Sequence, residues 1–149
     1  MSIPPPDSEQ ELLERADALA GLSVRDLAER AGRRVPSDLR RHKGWVGELL
    51  EQQLGADAGS MPEPDFRAIG VELKTLPVDA RGLPRESTYV CTVPLEEGLG
   101  QTWETSWVRR KLARVLWIPV EADPTIPLPE RRIVLRNAAN IRLAGITFD

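Results

Sequence analysis

The sequence predicts one mixed α/β domain with helices flanking a small central sheet, and three observations carry that expectation. Two N-terminal segments, residues 8–21 and 23–32, open on a serine cap and then repeat apolar residues at helical spacing. Residues 71–75 alternate apolar and charged side chains, and residues 115–120 form a short apolar run of strand length. A chain of 149 residues suits a single domain, and at that size folding buries roughly 70% of the unfolded surface.

Composition narrows the class. With 41% hydrophobic and 29% charged residues the chain is an ordinary globular one, and its net charge of −3 lacks the basic excess of a dedicated nucleic-acid binder. Any phosphate contacts must come from a local basic face. Cys91 is the single cysteine, which excludes a disulfide within the chain and reads as a small buried strand residue rather than a nucleophile. The N-terminus has no charged segment followed by an apolar run, and no stretch approaches membrane-spanning length, so a cytoplasmic location is expected.

Residues 1–7, with Pro4, Pro5 and Pro6, read as a flexible, extended arm, and the domain is expected over residues 8–149. Ser8 and Glu11 have the form of a capping box, after which Leu12, Leu13, Ala16, Leu19 and Ala20 recur at helical spacing up to Gly21. Ser23 with Asp26 opens a second helix carrying Leu27, Ala28 and Ala31 and ending at Gly32. The pair resembles half of a helix-turn-helix motif. Asp26 and Glu29, however, stand where a major-groove reader carries bases or amides, which favours a plain amphipathic pair.

The basic run Arg40, Arg41, His42 and Lys43 leads into a third helix, with Trp45, Leu49 and Leu50 on its apolar stripe and an end near Gly55. Glu51 flanks that stripe, where spacing alone makes it a solvent-facing partner of Arg40 or Lys43. His42 reads as a surface residue rather than a general base. Residues 56–61 are small and glycine-bearing, either a simple turn or a loop passing close to neighbouring strands.

Residues 64–74 carry the chemistry. If Val71 and Leu73 enter a core, Glu72 and Lys74 stand together on the opposite strand face. Gly70 can take the positive φ of a turn, which returns Asp65 beside Glu72. Two carboxylates converging beside an ammonium suit a hard cation, since Mg2+ takes oxygen ligands, keeps several waters and leaves positions for phosphate. The lysine would orient or deprotonate an attacking water. Spacing alone also fits an exposed hairpin with ordinary surface charges.

Residues 77–84 form a turn-rich connection and residues 88–93 a β-branched and aromatic strand. Residues 103–113 suit a helix whose Val108 and Leu112, with Val115 beyond them, face inward. Arg109, Arg110, Lys111 and Arg114 crowd it, with Arg110 and Arg114 on one face. Such a charge run is usually a solvated face, but beside a metal site it becomes the candidate phosphate-holding surface. Residues 115–120 read as a buried strand anchored by Trp117, Pro124, Pro127 and Pro129 mark a loop, and residues 131–135 form a last strand.

Pro64-Asp65, a gap and Glu72-Leu73-Lys74 together resemble the signature of the restriction-endonuclease-like superfamily of Mg2+-dependent nucleases. A longer set looks like the MutH mismatch-repair endonuclease family: Lys43-Gly44-Trp45-Val46-Gly47, Leu49-Leu50-Glu51, Gly70-Val71-Glu72-Leu73-Lys74-Thr75, Trp103-Glu104-Thr105-Ser106, and Arg114-Val115-Leu116-Trp117-Ile118-Pro119-Val120-Glu121. The resemblance implies a restriction-endonuclease-like mixed sheet flanked by helices. It implies Mg2+ held by Asp65, Glu72 and the Leu73 backbone carbonyl, Lys74 acting on water, Glu51 as a further acid, and Lys43 close to DNA. It also implies nicking of the unmethylated strand of double-stranded DNA at hemimethylated or unmethylated GATC sites, with MutL and MutS as partners. The resemblance is followed to about Arg132, whereas family members continue through a C-terminal lobe. An inactive or truncated DNA- or partner-binding module of the same fold is therefore the alternative.

Overall fold

The computed structural model describes residues 2–37, 44–79, 81 and 114–134, together with the backbone of 142–144. Within these the chain forms helices α1 (Glu9–Asp17), α2 (Val24–Ala31) and α3 (Trp45–Leu54), strands β1 (Glu72–Val78), β2 (Val115–Glu121) and β3 (Arg142–Ala144), and a short 3-10 turn, Leu128–Glu130. The described strands make one sheet in the order β1-β2-β3, with β1 and β2 parallel and β2 and β3 antiparallel. The architecture is mixed α/β, as expected. The expected strand 88–93, with Cys91, and the expected helix 103–113 lie outside the described residues.

Local chemistry explains the helix ends. Ser8 Oγ accepts from Glu11 N at 3.1 Å, but the reciprocal half of the expected box is redirected, because the Glu11 carboxylate takes Asp7 N at 2.9 Å instead. At α2 the box is complete: Ser23 Oγ accepts from Asp26 N and Asp26 accepts from Ser23 N. Gly32 and Gly55 close α2 and α3 in the left-handed conformation that glycine adopts without a Cβ penalty.

The core joins Leu12 and Ala16 of α1, Leu27 and Ala28 of α2, and Leu49, Leu50 and Leu54 of α3 to Val71, Leu73, Leu116 and Ile118. Burying each leucine side chain contributes about 1.5–3 kcal/mol. α3 is the hub, in contact with α1, α2 and β1.

The N-terminal arm is held against this helical layer. Pro6 is buried, and Arg15 Nη1 donates to the carbonyls of Pro4 at 2.6 Å and Leu54 at 3.0 Å. Arg15 thus ties the arm to the end of α3 and, through Nη2, to Glu11 at 2.7 Å.

The last expected strand needs correction. Residues 131–134 do not form a strand; they make isolated bridges, Arg132 with Ser23 and Ile133 with Val120. The reason is divided hydrogen bonding: Ile133 N turns to Leu22 O, whereas Val134 N reaches Pro119 O and Arg132 N the Glu121 carboxylate. The segment straps the α1–α2 turn to β2. Val115 is buried as the first residue of β2, in keeping with the strand expected over 115–120.

Three helix-start carboxylates are held below their ordinary range. Glu9 is lowered chiefly by its hydrogen bond to Arg114, Glu11 by accepting from Asp7 N, and Asp26 by accepting from Ser23 N. With folded values depressed, the unfolded chain takes up protons first on acidification. The contribution of these groups is therefore complete above about pH 5 and is lost as the pH falls through their lowered values. Urea midpoints should decline on that acid side, and Asp26→Asn should flatten the decline. A midpoint constant down to about pH 3 would contradict this linkage.

Candidate active site

A tight turn makes the centre of the site. Phe66 N donates to Val71 O at 2.9 Å and Val71 N to Phe66 O at 3.3 Å, closing residues 67–70 with Gly70 at φ 65°. The residues just outside this bridge are Asp65 and Glu72, so the chain reversal places them side by side. Asp65 Oδ2 then accepts from Leu73 N at 2.9 Å. The return of Asp65 to the strand, expected from Gly70, is what the structure forms.

Both acids are withdrawn from water, Asp65 to 8% and Glu72 to 3% exposure. Exposed hairpin charges are thereby excluded at these two positions. The simple alternation is also corrected: Val71 and Leu73 are buried as expected, but Glu72 is buried too and Lys74 is half-buried, so this end of the sheet is covered on both faces. Buried carboxylates are costly unless hydrogen bonds or a cation compensate them.

The loop after α3 braces the pair. Asp65 O accepts from Asp57 N at 2.9 Å and Ala58 N at 3.2 Å, so residues 56–61 do pass against the site. Asp57 Oδ1 in turn accepts from Arg67 N at 3.0 Å, fixing the turn from outside. Sequence reading missed Asp57 because its partner lies ten positions away with no periodic signal between them.

On the other side Glu72 N donates to Arg114 O at 2.9 Å, and Glu72 pairs in register with Val115. In a parallel ladder alternate residues turn both backbone groups to one neighbour. Leu73 therefore directs its amide and its carbonyl away from β2, toward the side from which Asp65 approaches. Lys74 lies opposite Trp117 in that register and shares a strand face with Glu72.

The other candidates are placed differently. Glu51 is half-buried on α3, which packs on β1. Among the described residues, no group of three acid, histidine or cysteine side chains is arranged to hold an ion. Two carboxylates and a carbonyl still form an all-oxygen donor set that suits Mg2+, which keeps several waters of its own.

Arg114 stands at a bend before β2, so the helical face expected for it with Arg110 does not extend that far. Its Nε and Nη2 bond the two Glu9 oxygens at 2.8 and 3.0 Å, and Glu9 raises its pKa further through that hydrogen bond. Lys43, Arg109, Arg110 and Lys111 lie outside the described residues, as does His42. An open cleft lined by Ser23, Asp26, Glu121, Glu130 and Arg132 sits at the other end of β2, away from the two acids.

Comparison with known proteins matches the family model described as "DNA mismatch repair enzyme MutH" over residues 54–142, a span containing Asp65, Glu72, Lys74 and Arg114. The chain is 61% identical over 130 residues to the DNA mismatch repair protein MutH of Serratia proteamaculans (strain 568), covering 87% of this chain and 57% of that protein. It is 58% identical over 129 residues to the protein of that name from Enterobacter sp. (strain 638), covering 87% and 56%. For Photorhabdus laumondii subsp. laumondii the values are 59% over 129 residues, covering 87% and 57%. The chain spans little more than half the length of these curated relatives.

Proposed function

Because the chain belongs to the MutH family of DNA mismatch repair enzymes, we propose that it is a Mg2+-dependent endonuclease on a restriction-endonuclease-like scaffold, nicking the unmethylated strand at GATC sites in concert with MutL and MutS. The observation that carries this reading is the bond from Leu73 N to Asp65 Oδ2, which sets two buried carboxylates at the head of one strand.

Asp65, Glu72 and the Leu73 carbonyl would hold the cation. When bound, Mg2+ offsets the charge that builds up on the phosphate and the leaving oxygen during hydrolysis. The turn at Gly70 and the Asp57 brace orient Asp65, and burial keeps bulk water from screening its charge. Lys74 Nζ, on the Glu72 face, would orient the attacking water as the ammonium or, as the neutral amine, take up its proton. Lys43, Arg109, Arg110 and Lys111 supply contacts to the DNA backbone, and Glu51 is a further acid whose place is beside a second cation.

Supercoiled plasmids carrying unmethylated, hemimethylated or fully methylated GATC sites test the proposal, with Mg2+ or EDTA and with Glu72→Ala as control. The expected result is Mg2+-dependent nicking confined to unmethylated strands and absent from the variant. A folded protein that binds DNA in a salt-sensitive way yet never cuts, even with MutL, would make it a noncatalytic binding module instead.

A further inference from the structure

Arg114 works in two directions at once. Its backbone carbonyl accepts from Glu72 N at 2.9 Å, while its guanidinium makes a two-point bond to Glu9 at 2.8 and 3.0 Å, 105 positions earlier in the chain. Glu9 is the first residue of α1, a helix fixed by buried Leu12 and Ala16 and by the Arg15 bond to Leu54 O. Resting on the nuclease reading above, we infer that Glu9 and Arg114 are positioning residues, a clamp that holds the head of β2, and through it Glu72, in register for the reaction.

The clamp acts through geometry rather than through stabilisation. Both side chains are 40% exposed, and an ion pair so open to water adds little to folding. A bidentate guanidinium–carboxylate pair nevertheless fixes orientation in a plane, which a single contact cannot. The residue it orients is the one whose carbonyl carries the first rung beside the buried acid. Small displacements of a reacting group weigh heavily on rate even when the fold hardly notices them.

The competing assignment makes Arg114 a phosphate contact, with Glu9 merely its resting partner. The two differ in what one substitution does to turnover. Under the clamp, Glu9→Gln lowers kcat about tenfold and leaves KM for DNA and the salt dependence of binding unchanged. Under phosphate contact it releases Arg114, so kcat keeps its parental value while DNA binding is unchanged or tighter, and only Arg114→Gln loses affinity, with a salt slope shallower by about one.

The experiment uses the full chain and its Glu9→Gln, Arg114→Gln and doubly substituted forms. It measures single-turnover nicking against DNA concentration, DNA binding in EDTA across salt, and amide exchange of Glu72 N–H by NMR. The clamp predicts Glu72 N–H exchange about tenfold faster in each single variant, with the Leu49 and Leu50 amides unmoved. It also predicts that the double variant is no worse than either single one. Parental exchange and parental kcat in Glu9→Gln would overturn the inference. Faster exchange in a protein that never cuts would instead keep the clamp as a structural element and reject its catalytic purpose together with the nuclease reading.

Discussion

Asp65→Asn is expected to lower Mg2+-dependent nicking by at least about a thousandfold while leaving the unfolding midpoint in EDTA unchanged or slightly raised. Asparagine keeps an oxygen to accept from Leu73 N and loses only the charge. Asp65→Ala would also strip the acceptor from that buried amide, at a cost of about 1–3 kcal/mol, and would confuse a folding defect with a chemical one. Asparagine also relieves the repulsion between two buried like charges that a cation would otherwise compensate. The signature is therefore twofold. Mg2+ should raise the unfolding midpoint of the parent but not that of the variant, because a ligand stabilises only the state that binds it. Parental cutting by Asp65→Asn, or equal Mg2+ stabilisation of both proteins, would remove Asp65 from the site.

Gly55→Ala should destabilise the fold by about 3 kcal/mol, the largest stability loss expected from any single methyl group described here. Gly55 has φ 86°, and a Cβ there would lie 2.5 Å from Pro4 O and 2.8 Å from Arg15 Nη1. The left-handed backbone costs an alanine about 1–2 kcal/mol by itself. The remainder comes from pushing Pro4 off the guanidinium that anchors it. Gly59→Ala supplies the control, because Gly59 also has positive φ, at 59°, but open space around its Cβ position. Its cost should stay near the backbone term alone. Equal urea midpoints for the two variants would mean that the arm gives way freely and its anchoring is weak.

The legible parts of this molecule are those whose causes sit within a few residues. Ser8 with Glu11, Ser23 with Asp26, and the glycines Gly32 and Gly55 mark three helices because capping is a local hydrogen-bond problem. Asp65, Gly70 and Glu72 were readable as a returning turn for the same reason. Long-range pairings were not. Glu9 with Arg114, Asp57 with Arg67, and the strap through Arg132 and Ile133 each depend on which elements become neighbours, and periodicity does not encode that. The burial of Glu72 was missed because alternation describes one strand, whereas the cover over its second face comes from elsewhere in the fold. β3 is three residues long, too short for an alternating pattern to announce it.

The parallel register of β1 and β2 sets a timetable for the site. Asp65 and Glu72 meet through a turn of a few residues, a closure that takes well under a microsecond to a few microseconds in an unfolded chain. Glu72 meets Val115 across 43 positions (115 less 72), a pairing whose loop entropy must be met before any contact repays it. During synthesis the acid pair thus leaves the ribosome and closes its turn first, while the β2 register that aligns Glu72 waits for residues 114 and 115. A growing chain carries the acids early but holds them in their final alignment only when that distant strand arrives.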